Sequence, residues 1–253
     1  LLVNDNNPDE INKDVKIVST KFKPKNRLER FLKSRKLLFQ KALEINADIY
    51  HFHDPDLLPL GNKLKRKGKK VIFDSHEDVP EQIKDKTWIP KLIRGLIAKV
   101  YSYYEKASLK RYDSVITVTP HIVERLSKIN FNTIMVTNYP ILGSVSNTNR
   151  EPQNAICFAG GINEEWNHDK IIKALENIDG VKYILAGTGT KQYIDFLRSL
   201  PGWNKVNYVG KVPHEEVKNI YAQSIAGIAL NYSNQAKNEG TLGNTKLFEF
   251  MEA

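Results

Sequence analysis

Cysteine and long apolar runs are what this 253-residue sequence has least of. Its one cysteine, Cys157, excludes a disulfide within the chain, and the apolar residues around it indicate a buried thiol. No apolar run approaches the ~20 residues that a membrane-spanning helix requires, which excludes such a helix. The first residues show no secretory leader pattern, and we therefore expect a cytoplasmic protein.

The two ends of the sequence lie inside regular patterns. It opens on Leu1–Val3, which has the pattern of a strand end, and it stops at Ala253 within a helical pattern that has no stop signal. We therefore expect that about one strand–helix unit is missing in front and that several elements are missing behind.

Positive charge is concentrated in the first part of the chain. Residues 1–150 contain 28 Lys and Arg against 17 Asp and Glu, whereas residues 151–253 contain 10 against 12. The first part is therefore expected to have an acidic partner, such as an anionic lipid or a phosphate-bearing substrate. No nucleic-acid-binding module is recognisable, so we expect no nucleic acid partner.

Apolar runs alternate with helical patterns along the chain, which is typical of α/β folds with parallel strands. The polar segment 143–153 has no apolar period and is predicted to be a linker. Two domains are expected, over residues 1–145 and 146–253. Ligands of such sheets bind at the carboxyl ends of the strands.

The most informative motif is the run Gly243–Glu252. It is typical of a polar turn that leads into a helix, and the free backbone N–H groups at a helix start suit a phosphate. Glu249 is an acidic residue on an otherwise apolar face, and its carboxylate can accept hydrogen bonds from a sugar diol. A helix in which Glu249 only points to solvent is the alternative.

Further segments follow one another in an order that resembles an enzyme family. They are Asp48–Asp54, Val71–Glu77, Val115–Pro120, Ile184–Gly189 and Val206–Tyr221. With the C-terminal run they resemble the retaining glycosyltransferases of family 4, which have the GT-B fold. The resemblance implies an α/β chain with two Rossmann-like parallel-sheet domains that face a cleft, both incomplete here.

The resemblance also implies a reaction. A sugar would move from a nucleotide-diphosphate sugar to a saccharide or lipid-linked saccharide acceptor, with retention and without a metal or other cofactor. Polysaccharide or lipopolysaccharide synthesis is the setting that the family suggests.

Site residues follow from the same resemblance. His76 would be the catalytic histidine beside the donor sugar, with His53 as a second candidate near the cleft. Glu249 would hold the ribose of the donor. The other donor contacts would come from strand ends and from the helix start: Gly160, Gly161, Gly187, Gly243, Asn244 and Thr245. A purely structural turn is the alternative for Gly187.

The sequence departs from the family pattern in two places. Gly161 and Trp166 stand where the family has the Arg and the Lys that neutralise the diphosphate, and Lys246 is the expected substitute. Weaker substitutes are Asn167, His168 and Lys170. The first of the two family carboxylates is also replaced, by Thr241, and the nearest acid is Glu239. We expect Thr241, or a displaced Glu239, to contact the transferred sugar.

A metal site is an alternative for the histidines of the first domain. His51 and His53 lie two residues apart and so share one face of a strand. With Asp54 and His76 they offer metal ligands of the right types. Because the family needs no metal, we expect none.

The segment Trp88–Tyr101 has apolar residues at helical spacing among Lys and Arg. The pattern favours a helix whose apolar stripe packs on the sheet. The alternative is an interfacial helix on an anionic membrane, at the inner face of the plasma membrane.

Two other functions fit parts of the sequence. A nucleotide-sugar epimerase would share the fold but need no acceptor, which the basic first part disfavours. A nucleic-acid-binding protein would account for the pI of about 9.3, although the positive charge is confined to one part of the chain.

Overall fold

The chain divides into two compact units, Leu1–Thr137 and Asn138–Ala253. The computed structural model describes residues 1–86, 88–137, 139, 153–231 and 245–252. The predicted domain boundary at residue 145 falls in the range 140–152, outside the described residues, and it stays a prediction.

Unit 1 begins with a small sheet of three strands, β1 (Leu2–Val3), β2 (Glu10–Asn12) and β3 (Val15–Ser19), in the order β1-β3-β2. β2 and β3 are antiparallel, whereas β1 runs parallel to β3. Lys13 and Asp14 connect β2 to β3 with φ values of 45° and 67°. Two positive φ values in a two-residue loop define a type I′ turn, whose twist matches that of the hairpin.

The second sheet of unit 1 is parallel, in the order β4-β5-β6-β7. Its strands are β4 (Ile49–Phe52), β5 (Lys70–Ser75), β6 (Ser114–Thr117) and β7 (Thr133–Met135). The helices of the unit are α1 (Arg27–Glu29), which continues through a π-helical turn (Arg30–Ser34) into α2 (Arg35–Ile45), then α3 (Leu58–Arg66), α4 (Val79–Asp85), α5 (Lys91–Leu109) and α6 (Pro120–Ser127). The core contains Val71 and Phe73 of β5 together with Leu64 and Leu109, all buried. Helices cover this strand because a parallel sheet needs crossover connections.

The described residues of unit 2 form one parallel sheet, in the order β10-β9-β8-β11. Its strands are β8 (Gln153–Ile162), β9 (Lys182–Gly189), β10 (Val206–Gly210) and β11 (Ser224–Gly227), and its helices are α7 (His168–Leu175), α8 (Lys191–Arg198), α9 (His214–Ala222) and α10 (Thr245–Glu252). Leu185 and Ile184 are neighbours in β9 and belong to two different core clusters. Apolar layers therefore cover both faces of the sheet.

The strand order of unit 2 identifies where a ligand would bind. β8 is the first strand of the unit, β9 and β10 follow on one side of it, and β11 lies on the other. Successive strands are therefore added on one side of β8 and then on its other side, so the strand order reverses between β8 and β11. In open α/β sheets, ligands bind outside the carboxyl ends of the strands at such a switch point.

Most predicted elements are confirmed, and the differences have local causes. The hairpin strand β2 was not predicted, because its three residues are all exposed and carry no apolar period. Helix α4 begins beside a proline, which makes its pattern unlike that of an ordinary helix. Its Pro80 lies in the first helical turn, where proline is favourable and does not break a helix.

The apolar stripe of α5 does not pack as the pattern favoured. Leu92 is 98% exposed, Leu96 64% and Val100 62%. The prediction that the stripe packs on the sheet is therefore wrong for these residues. Ala98 and Leu109 are the apolar side chains that the helix does bury. Within the described part of the chain, every helix is too short or too polar to cross a membrane.

Candidate active site

Three histidines and one aspartate meet at the carboxyl ends of β4 and β5. His51 and His53 lie two residues apart, as do Asp74 and His76, so each pair projects to one face. The parallel pairing of β4 with β5, in which His51 aligns with Ile72, brings the two pairs together. The predicted catalytic residue His76 and its predicted neighbour His53 are thus in one cluster.

The distances in this cluster are short. The His53 Nδ1 atom lies 2.9 Å from Nε2 of His76. The Asp74 Oδ2 atom lies 3.2 Å from Nε2 of His51 and 3.3 Å from Nδ1 of His53, while Oδ1 lies 3.4 Å from Nε2 of His76. The Asp74 side chain is only 10% exposed, whereas the three imidazoles are at least 41% exposed. A buried carboxylate therefore supports three imidazoles that face solvent.

The carboxylate of this cluster is not the one that the sequence suggested. Asp54 instead lies 4.0 Å from the guanidinium of Arg30. Asp74 was missed, although its spacing of two from His76 on a predicted strand was a usable signal.

A second polar group of unit 1 lies near the ends of β5 and β6. Arg125 pairs with Glu105 at 2.5 Å and with Asp78 at 3.5 Å, and His121 lies 3.3 Å from Asp78. Burial raises the pKa of Glu105, and the hydrogen bond from Arg125 opposes that shift. Because these groups form ion pairs with one another, we assign them to holding α4, α5 and α6 in place.

In unit 2, the side chain of Lys246 lies at the carboxyl end of β8. Its ammonium donates a hydrogen bond to the Ala159 carbonyl at 2.7 Å. It also lies 5.2 Å from the ring centroid of Phe158 and 5.6 Å from that of Trp166. Burial lowers the pKa of Lys246, and the Glu249 carboxylate partly opposes that shift. A cation in this position is attractive to an anion that reaches the switch point.

Gly160 makes room for this lysine. A Cβ atom at Gly160 would lie 2.6 Å from Nζ of Lys246, and the φ of +152° is one that glycine tolerates best. The neighbouring Gly187 has a φ of +132°, and a Cβ there would collide with the carbonyl oxygen of Gly160. The space above Gly160, where the resemblance implied a contact with the donor, is thus filled by the Lys246 ammonium.

Glu249 lies one turn after Lys246 on α10 and is held by a tyrosine. The Tyr221 hydroxyl donates a hydrogen bond to its Oε2 atom at 3.1 Å. Burial, and then the charge of Glu249, raise the pKa of Tyr221 above its usual range, so this hydroxyl stays a donor. The alternative that Glu249 only points to solvent is wrong, because its carboxylate contacts Tyr221.

The other predicted donor residues are spread more widely. Gly161 and Thr245 are exposed. The Asn167 side chain donates to the Leu230 carbonyl at 2.9 Å, and Lys170 lies in α7. His168 is buried, with Nδ1 2.9 Å from the Tyr183 hydroxyl, and so belongs to the core. Outside the described residues lie Glu239, Thr241, Gly243 and Asn244, whose roles stay predictions.

Comparison with protein families follows the same division of the chain. Residues 2–137 match the model of Glycosyltransferase Family 4. The chain belongs to Glycosyltransferase Family 4. Residues 144–241 of this family member match the model of Glycosyl transferases group 1. No curated protein sequence matches the chain significantly.

Solved structures share the fold at low sequence identity. Sucrose-phosphate synthase from Thermosynechococcus elongatus superposes with a TM-score of 0.66 at 16% identity, over 93% of this chain and 66% of that one. HepE from Anabaena, in complex with UDP and glucose, gives 0.64 at 12% identity, over 85% and 60%. TarM from S. aureus, in complex with Fondaparinux, alpha-GlcNAc-glycerol and UDP, gives 0.60 at 13%, over 78% and 40%.

These likenesses confirm the predicted fold class, an α/β chain with parallel sheets in two domains of the GT-B type. The chain spans less than two thirds of the length of each of the three structures. At these identities the likeness is one of fold.

Proposed function

We propose that this family 4 chain transfers a sugar from a nucleotide-diphosphate sugar to a hydroxyl acceptor, with retention and without a metal. Family membership supports the transferase class. The observation that carries the donor assignment is the pair Lys246 and Glu249, one turn apart on α10 at the switch point of unit 2.

Lys246 is suited to a diphosphate by its surroundings. Its ammonium is partly buried beside two aromatic rings, and charges act more strongly where water is displaced. Burial lowers the pKa of this lysine, so a nearby anion would offset the cost of burying its charge. It thereby replaces the two cations that the family pattern has elsewhere.

Glu249 is suited to a ribose because one of its oxygens is already fixed. Tyr221 donates to Oε2, which orients the carboxylate and leaves acceptor capacity on the other oxygen. In the proposed reaction the bond between the anomeric carbon and the diphosphate breaks. The acceptor oxygen bonds to the same face of that carbon, and its proton passes to the departing phosphate. Electrostatic stabilisation of the leaving diphosphate is the main catalytic effect.

His76 is the proposed catalytic residue of unit 1. As a neutral imidazole it would hydrogen-bond a sugar hydroxyl, and as a cation it would assist the leaving phosphate. His53 lies close enough to orient it.

We further propose that the acceptor is lipid-linked and that α5 lies on an anionic membrane, as in cell-surface polysaccharide or lipopolysaccharide synthesis. The apolar side chains of Leu92, Leu96 and Val100 are exposed on one side of this helix. Lys91 and Lys99 on the same helix are also exposed and supply positive charge. An exposed apolar stripe flanked by cations suits the surface of an anionic bilayer.

The donor assignment is tested by thermal shift with UDP, GDP, ADP and CMP, each with and without Mg²⁺. A ligand at ~100 times its Kd adds ~2.7 kcal/mol of stability, which is easily measured. We expect a shift with one diphosphate that does not depend on Mg²⁺ and that is lost in Glu249→Gln. Lys182→Gln changes an exposed charge at the amino end of β9, away from the proposed donor site, and as the control it should keep the shift. A shift that Glu249→Gln leaves unchanged would refute the assignment.

Two further measurements separate the alternatives. Incubation with the donor sugar alone would convert it into its epimer if the chain were an epimerase, and we expect no conversion.

Sedimentation with anionic liposomes tests the membrane surface: we expect binding that weakens with salt and is lost in Leu92→Gln with Leu96→Gln. Equal binding to neutral liposomes would contradict an electrostatic contribution.

A further inference from the structure

The cluster at the ends of β4 and β5 has the composition of a transition-metal site. We propose that His51, His53 and Asp74 bind one Zn²⁺-class divalent metal ion, with His76 beside the fourth coordination position. The inference uses only contacts inside unit 1, so it does not rest on the proposed transferase function.

The two distances from the Asp74 carboxylate to the imidazoles fit tetrahedral coordination. With bonds of ~2.0–2.1 Å, neighbouring ligand atoms around a tetrahedral ion lie ~3.3 Å apart. The Asp74 Oδ2 atom lies 3.2 Å from Nε2 of His51 and 3.3 Å from Nδ1 of His53. The donor atoms of these three residues all lie within 4.8 Å of one another. An ion could therefore bind after small side-chain rotations.

The buried carboxylate supplies an independent argument. Within the described part of the chain, the ion-pair partners of Asp74 are all imidazoles, none of them a lysine or arginine. Its buried Oδ1 atom has no hydrogen-bond partner among the described residues. A buried carboxylate is normally paired with a cation or bound to a metal, because burial of an isolated charge is costly. A divalent ion would supply the missing positive charge.

The types of ligand atom indicate which metal would bind. Two imidazoles and one carboxylate are a ligand set that suits Zn²⁺, and three protein ligands are common where the fourth position is kept for another group. Mg²⁺ and Ca²⁺ prefer shells made of oxygen. His51 lies in β4 and Asp74 in β5, and His53 directly follows β4, so the paired strands hold the backbone of the site in place.

A bound ion would lie close to His76. The imidazole of His76 lies 2.9 Å from Nδ1 of His53, one of the proposed ligands. The ion would take the ring nitrogen of His53 that otherwise lies against His76, and so would change the hydrogen bonding of His76. The sugar transfer proposed above needs no metal, so the ion would not drive the reaction.

The experiment is a Zn²⁺ titration of the tag-free, metal-stripped chain by calorimetry. We expect one Zn²⁺ per chain and no binding of Mg²⁺. His53→Gln and Asp74→Asn should each raise the Kd at least about tenfold. His214→Gln, which removes an exposed imidazole in unit 2, should leave the Kd unchanged. Co²⁺ bound in place of Zn²⁺ should give the intense visible absorption of a tetrahedral ion.

Two results would overturn the proposal. One is the absence of stoichiometric Zn²⁺ binding by the wild-type chain. The other is a Kd that is the same in wild type and in His53→Gln, which would mean adventitious binding elsewhere. His53 is exposed, so its variant should fold even if the Asp74 variant does not, and circular dichroism of each variant checks this.

Discussion

Replacing Lys246 with methionine should separate stability from ligand binding. Methionine keeps the length and most of the apolar contacts of the lysine, but it removes the ammonium. In the absence of ligand, the variant loses the hydrogen bond to Ala159 and the contacts with Phe158 and Trp166. It also no longer buries a charge, a cost that the lowered pKa of Lys246 reflects.

These effects have opposite signs and similar sizes. A hydrogen bond to a charged group contributes about 1.5–3 kcal/mol, and a cation–π contact about 0.5–2 kcal/mol. Replacing a buried charge by an apolar group of similar volume is often neutral or stabilising. We therefore expect the free energy of unfolding of the unliganded chain to change by less than about 1 kcal/mol.

Ligand binding should respond far more strongly. If Lys246 donates a charged hydrogen bond to the diphosphate, its loss costs about 1.5–3 kcal/mol, which is about a 10- to 150-fold increase in Kd. Calorimetric titration with the nucleoside diphosphate that stabilises the wild-type chain measures this. Lys182→Met serves as the control and should bind like wild type. A Lys246→Met variant with unchanged affinity would refute the role of this lysine, whatever its stability.

Three further predictions concern stability. Burial lowers the pKa of His168 from 6.5 to about 4, so the unfolded chain binds more protons than the folded one between these pH values. About 3 kcal/mol of stability should be lost as the pH falls from 6.5 to 4, and His168→Phe should flatten this loss in denaturant titrations. Arg125→Met leaves Glu105 buried without its partner and should cost about 3–5 kcal/mol in urea unfolding. Gly187→Ala forces a Cβ against the Gly160 carbonyl at a positive φ. It should reduce the free energy of unfolding by about 1–3 kcal/mol or more, which lowers the melting temperature.

Each of these has its own control and contrary result. His214→Gln should keep the acid-dependent loss, and the same pH slope in the His168 variant would contradict the assignment. Adding Glu105→Gln should recover most of the stability lost in the arginine variant, whereas no recovery would contradict the pairing argument. Gly161→Ala adds a Cβ that meets nothing within 4 Å, so a cost equal to that of Gly187→Ala would show that crowding is not the cause.

The order of elements could be predicted because it depends on local patterns. The alternation of apolar runs and helical patterns predicted parallel strands, and the segments Asp48–Asp54 and Val206–Tyr221 contain the parallel strands β4 and β10. Apolar residues at strand or helix spacing report which face is buried, and that information is contained in a few neighbouring residues. Periodicity therefore established the fold class.

The chemistry of the site depended on contacts between distant residues. Asp74 reaches His51 and His53 only through the pairing of β4 with β5, which no local pattern specifies. Likewise, the reason for Gly160 is the lysine that fills the space above it, 86 positions later in the sequence. The exposed stripe of α5 shows the converse: helical spacing identifies an apolar face, but it does not identify what covers that face.

The hairpin of β2 and β3 has a consequence for how the chain folds. Among the described strands it is the only antiparallel pair, and its two-residue turn lets it form within about 1–10 μs from local contacts. Neighbouring strands in the two parallel sheets are instead separated in the chain by one or more crossovers, so their contacts form only after a long loop has closed. We therefore expect the hairpin to form early and both parallel sheets to set the slow, rate-limiting phase of refolding.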